Sequence, residues 1–221
     1  MQLTEADGAR VGAAIAAGEA SSDGEILAIA TDLSDPYHDV ALHYAVLVLF
    51  IALALFAAWP RWLDWWWTTL FGWGQPTQRD LLTLLLGLVL AKFLGTLLVM
   101  RWRPLRLLLT PGATKARRVR RRATALFKAS LEARTRGRTA VLIYLSLGEK
   151  RAEIIGDAAI TAATDPQEFV AAMDALLSEV RAGRAADGIV AAIGLVGAVL
   201  ATHFPRSADD TDEIPDRLIL L

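Results

Sequence analysis

Two long apolar runs dominate the pattern of side chains along the chain. From Ala41 to Trp59 the one clearly polar residue is His43, and Ala45–Ala58 is apolar throughout. From Leu81 to Met100 the one charge is Lys92. About 20 apolar residues at 1.5 Å rise each cover the roughly 30 Å of bilayer hydrocarbon, so each run predicts a transmembrane helix. A third apolar stretch, Gly188–Phe204, is shorter and rich in Ala and Gly. It reads as a core helix that uses small residues for close packing, with a short third span as the alternative.

The remaining pattern is that of an α/β domain in two pieces. Thr4 is a good N-cap, and Val11, Ile15 and Ala16 give the helix after it a modest apolar face. Ser21-Ser22-Asp23-Gly24 punctuates the chain, and Glu25–Ala30 reads as a buried strand. One helix and one strand cannot form a core, so this piece must pack on something later. The later part supplies a helix over Val119–Ala133, with Ala123, Leu126, Phe127, Ser130 and Leu131 on one face. Thr139–Leu147 is nearly continuous in apolar and β-forming residues, as for a central strand buried on both faces. Gly148-Glu149-Lys150 predicts a tight turn into a second strand, Arg151–Gly156. Asp165-Pro166 opens a helix with Phe169, Met173, Leu176, Leu177 and Val180 on its face, ending at Gly183, and a last helix starts near Asp187. Two pieces can share one sheet only if they lie on one side of a membrane, which requires an even number of spans between them.

Between the two runs lies a cluster of indoles. Six of the seven tryptophans are Trp59, Trp62, Trp65, Trp66, Trp67 and Trp73. Indole rings favour the headgroup region, so the segment predicts a short interfacial helix and an anchoring belt. A sterol or carbohydrate platform is the alternative.

Composition and charge refine this picture. The chain is 54% hydrophobic with a mean hydropathy of +0.39. Its net charge of −1 conceals an asymmetry: before residue 101 the cations are Arg10, Arg61, Arg79 and Lys92, and the other 19 of 23 follow. Nine cations fall between Arg101 and Arg122. Cations beside a span stay cytoplasmic, so both termini are expected in the cytosol, the Trp-rich loop outside, and the protein in the inner membrane. Arg117, Arg118, Arg120, Arg121 and Arg122 would meet anionic lipid headgroups, at about 1 kcal/mol each; nucleic acid is not expected. With no cysteine, thiolate chemistry and disulfides are excluded. The polar start Met1-Gln2-Leu3-Thr4-Glu5 lacks the pattern of a secretory signal. Lys92, near mid-span with no acidic partner in either run, reads as a snorkelling or self-association residue, with transport or binding as the functional alternative.

Candidate chemistry is sparse. P-loop, HExxH and G-x-S-x-G motifs are missing, and the three histidines, His38, His43 and His203, read as helix-end or interfacial groups. Asp157, Asp165 and Asp187 each follow or open an element. They could converge on Ca²⁺ or Mg²⁺, or serve simply as helix caps. The acidic run Asp209–Glu213 reads as solvated.

Several segments together resemble one family. Ser22-Asp23-Gly24-Glu25-Ile26-Leu27 resembles the T-S-G-E-I opening strand of TPM domains, and Arg138–Leu147 resembles their N-G-V-L-I-Y-L-S-L strand. Arg151–Asp157 is similar to the next strand, and Gly183–Ile189 to the G-x-x-x-x-G start of the final helix. His203-Phe204-Pro205 and Asp212–Leu218 resemble the tail of the bacterial integral-membrane subgroup, in which a hairpin interrupts the domain after the first strand. The resemblance implies a fold of class α/β, a TPM-like sandwich with a small central sheet, interrupted by a two-helix transmembrane hairpin. Residues 1–40 would be its first part, 41–102 the hairpin, and 103–221 the second part with an acidic tail. It implies a membrane-tethered module for protein interaction or for maintenance of a membrane complex, with the bilayer and other membrane proteins as partners. The alternative it implies is a weak metal-dependent, acid-phosphatase-like hydrolase, as described for some plant thylakoid members. The chain departs from the family pattern at Thr139, where glycine is usual, and at Asp157-Ala158-Ala159, where G-x-G is common. Such a glycine turn is where backbone N–H groups could meet an anion.

Overall fold

The computed structural model describes residues 3–72, 74–130, 139–207 and 215–221. The predicted features at Trp73, Leu131, Arg138 and Asp209–Glu213 lie outside them. The chain forms two compact units: residues 1–35 with 112–221, and residues 36–111.

The first unit is built on a four-stranded sheet. Its strands are β1 (Glu25–Thr31), β2 (Ala140–Ser146), β3 (Arg151–Gly156) and β4 (Leu218–Leu220), in the order β3-β2-β1-β4. β1 pairs parallel with β2 over seven residues, Glu25 with Ala140 through Thr31 with Ser146. β3 returns antiparallel to β2, and β4 pairs parallel with β1. β1 and β2 are buried along their whole length. The reason is visible in their period of two. Ile26, Ala28, Ala30, Val141, Ile143 and Leu145 turn to one core, whereas Leu27, Ile29, Ala140, Leu142 and Tyr144 turn to another.

Helices cover both faces. The first core is closed by α1 (Glu5–Glu19), α8 (Val170–Arg181) and α9 (Ala185–His203), with Ile160 from the short α7 (Ala158–Ala163). The second is closed by α6 (Gly112–Ser130) through Val119, Ala123 and Phe127. α1 begins where it does because Thr4 and Asp7 form a reciprocal capping box. α9 is long and apolar enough to cross a membrane by composition, yet Ile189, Ala192, Ile193, Val196 and Leu200 all sit in the first core. Gly148 N–H donates to the Asp32 carbonyl at 2.8 Å, and a Cβ at Gly148 would stand 2.6 Å from that oxygen. Only glycine permits this approach between the loop after β1 and the turn after β2.

The second unit is all helical: α2 (His38–Ala58), α3 (Arg61–Phe71), α4 (Gln78–Val99) and α5 (Arg103–Leu109). α2 and α4 pack on each other, and α4 starts at a Thr77–Asp80 capping box. Both are long and apolar enough to cross a membrane, and most of their apolar surface faces outward. Phe50 is 63% exposed, Leu86 68% and Leu98 66%. A cluster of Tyr37, Val40, Ala41 and Met100, packed by Leu105, Leu107 and Leu109, joins the base of these helices to α5. α5 is an element that the apolar pattern did not predict, and α7 and β4 are others.

α9 meets α1 at a pair of glycines, and this contact sets a test of the packing. A Cβ at Gly197 would stand 2.8 Å from Gly18 Cα, whereas one at Gly194 meets nothing within 4 Å. Gly197→Ala is expected to destabilise the protein by about 1–3 kcal/mol through overpacking. Gly194→Ala, at an exposed site on the same helix, should stabilise it by up to about 1 kcal/mol. Unfolding free energies of the two variants should fall on opposite sides of the parent.

Candidate functional site

The three carboxylates that could have shared a metal ion hold separate structural posts. Asp157 caps α7, accepting from the Ala158 N–H at 2.6 Å. Asp165 caps the 3-10 turn Pro166–Phe169, accepting from Gln167 N–H at 2.8 Å, while Glu168 accepts from the Asp165 N–H. Asp187, on α9, accepts from the Arg10 guanidinium at 2.6 Å, with Arg184 at 3.9 Å. Among the described residues no three His, Asp or Glu side chains gather where they could hold a metal ion. The donor set therefore does not fit the Ca²⁺ or Mg²⁺ that their spacing allowed, and the cap reading describes Asp157 and Asp165. His203 pairs with Glu168 at 2.8 Å. The Asp165 N–H and then His203 hold the Glu168 carboxyl below the usual carboxylate range.

The polar groups that do converge lie at the carboxyl ends of the parallel strands, where ligands of α/β sheets commonly bind. Tyr144 of β2 is fully buried, and its hydroxyl lies 2.9 Å from Ser34 Oγ. Burial pushes the Tyr144 phenol up, opposed by the Ser34 hydroxyl. Glu149, in the turn after β2, accepts from the Ser34 N–H at 2.9 Å and from the Ser146 hydroxyl. One residue further, Asp35 receives Arg118 at 2.6 Å and Arg121 at 3.6 Å. The Arg118 and Asp35 side chains are only 18% and 19% exposed. These groups are turned inward on one another. The knot ties the loop after β1 to the β2–β3 turn and to α6, and it offers neither a free nucleophile nor a free base.

α6 carries the basic segment. Its Val119–Ala123–Phe127 stripe is buried, while Arg117, Arg120, Arg121 and Arg122 stay exposed and Arg118 is committed to Asp35. Arg120 and Arg151 also face Glu153 on β3, whose carboxyl is raised by burial against their pull. The outer face of α6 therefore presents four exposed guanidinium groups, of which Arg121 also reaches Asp35 and Arg120 faces Glu153.

In the helical unit, Lys92 is exposed midway along α4, and its carbonyl accepts from Thr96 Oγ1 at 2.8 Å. α3 concentrates the indoles. Trp59 and Trp62 stack at 5.5 Å, Trp65 meets Trp66 edge-on at 5.1 Å, and Trp67 lies 4.6 Å from Phe71. Trp59, Trp62 and Trp65 are about half exposed. His38 approaches Arg106 at 3.5 Å, and His43 Nδ1 donates to the Asp39 carbonyl at 2.6 Å.

Sequence reasoning did not find the Ser34–Tyr144–Glu149 knot, because Ser34 lies more than 100 residues from both Tyr144 and Glu149 in the chain. It also missed a carboxyl cluster of Glu19, Glu25 and Asp216 beside β4. The signal available for that cluster was Glu25, an acid opening a strand otherwise read as buried.

Against known proteins, no family model matches the chain and no curated protein matches it. Among solved structures, the NMR structure of BA42 protein from the psychrophilic bacterium Bizionia argentinensis sp. nov. is similar, with a TM-score of 0.57 at 17% identity. The match covers 100% of this chain and 96% of that one. At that identity the likeness speaks for the α/β fold alone.

Removing a member of the knot should cost more than removing a cap. Glu149→Ala strips the acceptor from the Ser34 N–H and the buried Ser146 hydroxyl, and is expected to cost about 2–4 kcal/mol. Asp157→Ala should cost about 1 kcal/mol. Denaturant titrations of both variants give the comparison directly.

Proposed function

We propose that this chain is a membrane-tethered α/β module whose helical insertion crosses the bilayer as a two-helix hairpin. The observation that carries the reading is the outward apolar surface of α2 and α4, two helices of span length inserted between β1 and α6. Exposed apolar patches of more than a few hundred Å² mark a membrane or partner surface. Lys92 does not overturn this. A lysine at mid-span costs about 3 kcal/mol, whereas thirteen Leu, Val and Phe residues of α4 contribute roughly −5 kcal/mol on the same insertion scale. Its amine reaches toward the interface along its own stem.

α3 then lies in the outer headgroup layer, with its indoles as anchors. The α/β unit faces the cytoplasm, since the cation-rich segment that follows α4 favours that side. Arg117, Arg120, Arg121 and Arg122 supply the attraction to anionic headgroups. The α/β unit docks on another membrane component and serves interaction or maintenance of that complex. The TPM-like segments Ser22–Leu27 and Arg138–Leu147, whose described residues include the start of β1 and all of β2, support placing the chain among bacterial membrane proteins of that kind.

The chain has no cysteine, so single introduced thiols report topology cleanly. Thr69→Cys in α3 and Lys128→Cys in α6 are both exposed positions. In intact bacterial spheroplasts, a membrane-impermeant maleimide should label position 69 and leave position 128 unlabelled until the membrane is opened. Equal labelling of both positions in intact spheroplasts would contradict the hairpin.

A further inference from the structure

One side of α6 gathers Thr114, Arg117, Arg118 and Arg121, residues spaced three, four and seven apart from the first and so neighbours on a helix surface. Among the described residues these four line a cleft of about 350 Å³. That volume lies at the small end of the range for ligand pockets. Like charges four residues apart on a helix destabilise each other, and Arg117 and Arg121 are such a pair. Asp35 answers two of the three cations. It accepts from Arg118 at 2.6 Å and lies 3.6 Å from Arg121, and it is not among the described residues that line the cleft. Arg117 is exposed and makes no ion pair among the described residues.

The arrangement is ordered before any ligand arrives. Arg118 is largely buried against Asp35, so a long side chain that would otherwise lose rotamer freedom on binding is already fixed. Neighbouring cations face elsewhere: Arg120 and Arg151 act on Glu153, and Arg122 acts on Tyr144. Within the cleft, three arginines less the one charge of Asp35 leave two positive charges among the described residues. Guanidinium groups meet phosphate oxygens through paired N–H donors, a geometry that lysine cannot supply. A phosphomonoester offers three strong acceptor oxygens and a charge of about −1.5 to −2 at pH 7. A phosphodiester offers fewer terminal oxygens and a single charge, and leaves part of the cleft's charge unanswered.

We propose that this cleft binds one phosphomonoester dianion, carried either by a lipid whose headgroup is a bare phosphate or by a small soluble phosphate ester. Arg117 and Arg121 close on the terminal oxygens, Arg118 meets them from the position that Asp35 fixes, and the Thr114 hydroxyl donates to the same group. The inference deepens the headgroup attraction proposed for α6, and it rests on that reading only where lipid is the source.

The test is isothermal titration calorimetry on the full-length protein in phosphatidylcholine nanodiscs, with the heat of empty nanodiscs subtracted. Three probes are used at about pH 7.5, where a phosphomonoester is mainly dianionic: glycerol 3-phosphate, dihexanoyl phosphatidate and dihexanoyl phosphatidylglycerol. Phosphatidate should saturate one site per chain and bind about tenfold or more tightly than the diester phosphatidylglycerol. Arg117→Gln should weaken phosphatidate by about tenfold or more, and Thr114→Val should weaken it by a smaller factor. Lys128→Gln removes an exposed charge two turns beyond Arg121, roughly a Debye length away at physiological salt, and should change the affinity by less than about twofold. Phosphatidate binding tighter than glycerol 3-phosphate makes the lipid the source. Equal affinities for the two monoesters keep the cleft and remove lipid as its source. Phosphatidylglycerol binding as tightly as phosphatidate, or equal losses in Arg117→Gln and Lys128→Gln, overturns the cleft and leaves only a general attraction to anionic headgroups. The absence of saturable heat with both monoesters overturns it as well.

Discussion

The parallel ladder between β1 and β2 is the constraint on which the rest of the architecture depends. Its seven residue pairs join the two parts of the α/β unit, which are separated in the chain by the whole helical insertion. Without it, α1 and β1 would have no core, because one helix and one strand bury too little surface. With it, Leu27 and Ile29 find α6, and Ile26, Ala28 and Ala30 find α1, α8 and α9. The ladder also restricts the insertion. The chain leaves β1 and must return to α6 of the same unit, so any bilayer crossed on the way out has to be crossed again on the way back.

The strands that form this ladder were readable from the chain because each is buried on both faces. A strand buried on both faces is apolar at every position and therefore conspicuous locally. The same local logic gave α1 through Thr4, and β3 through the turn at Gly148. What escaped had no local signal. β4 is three residues after an acidic stretch, and its pairing energy comes from Ala28–Ala30, far away in sequence. α7 is an alanine-rich turn whose determinant is the cap at Asp157. That residue was read as a possible metal ligand or a cap from its position alone, and its contact with the Ala158 N–H decides for the cap.

The polar groups follow the same division. The indoles of α3 and the lone Lys92 of α4 are features of a single segment, so their chemistry was legible. The Ser34–Tyr144–Glu149 knot and the burial of Glu19 near Glu25 and Asp216 each depend on side chains brought together by strand pairing. A glutamate at the end of a helix looks like an ordinary solvated acid until the C-terminal segment is laid over it. Burial and like charge then change its proton affinity, and neither can be read from neighbours in the chain.

The insertion itself offsets part of what the ladder would otherwise cost. Closing a flexible loop as long as residues 36–111 before β1 and β2 can pair costs on the order of 4 kcal/mol in chain entropy, beyond a constant for initiation. This insertion is not a flexible loop. α2 and α4 pack on each other, and Tyr37, Val40, Ala41 and Met100 join with Leu105, Leu107 and Leu109 to gather the outgoing and returning chain at one base. The Tyr44 hydroxyl adds a bond to the Leu109 carbonyl at 3.0 Å across the same base. Once that base forms, the effective loop between β1 and α6 shrinks to the few residues outside it, and most of the closure entropy has already been met by helix packing. The packing of α2 on α4 then bears on how the α/β unit folds. A helix pair assembled first hands the α/β unit two ends already held close, and the parallel ladder can form as though its strands were near neighbours in sequence.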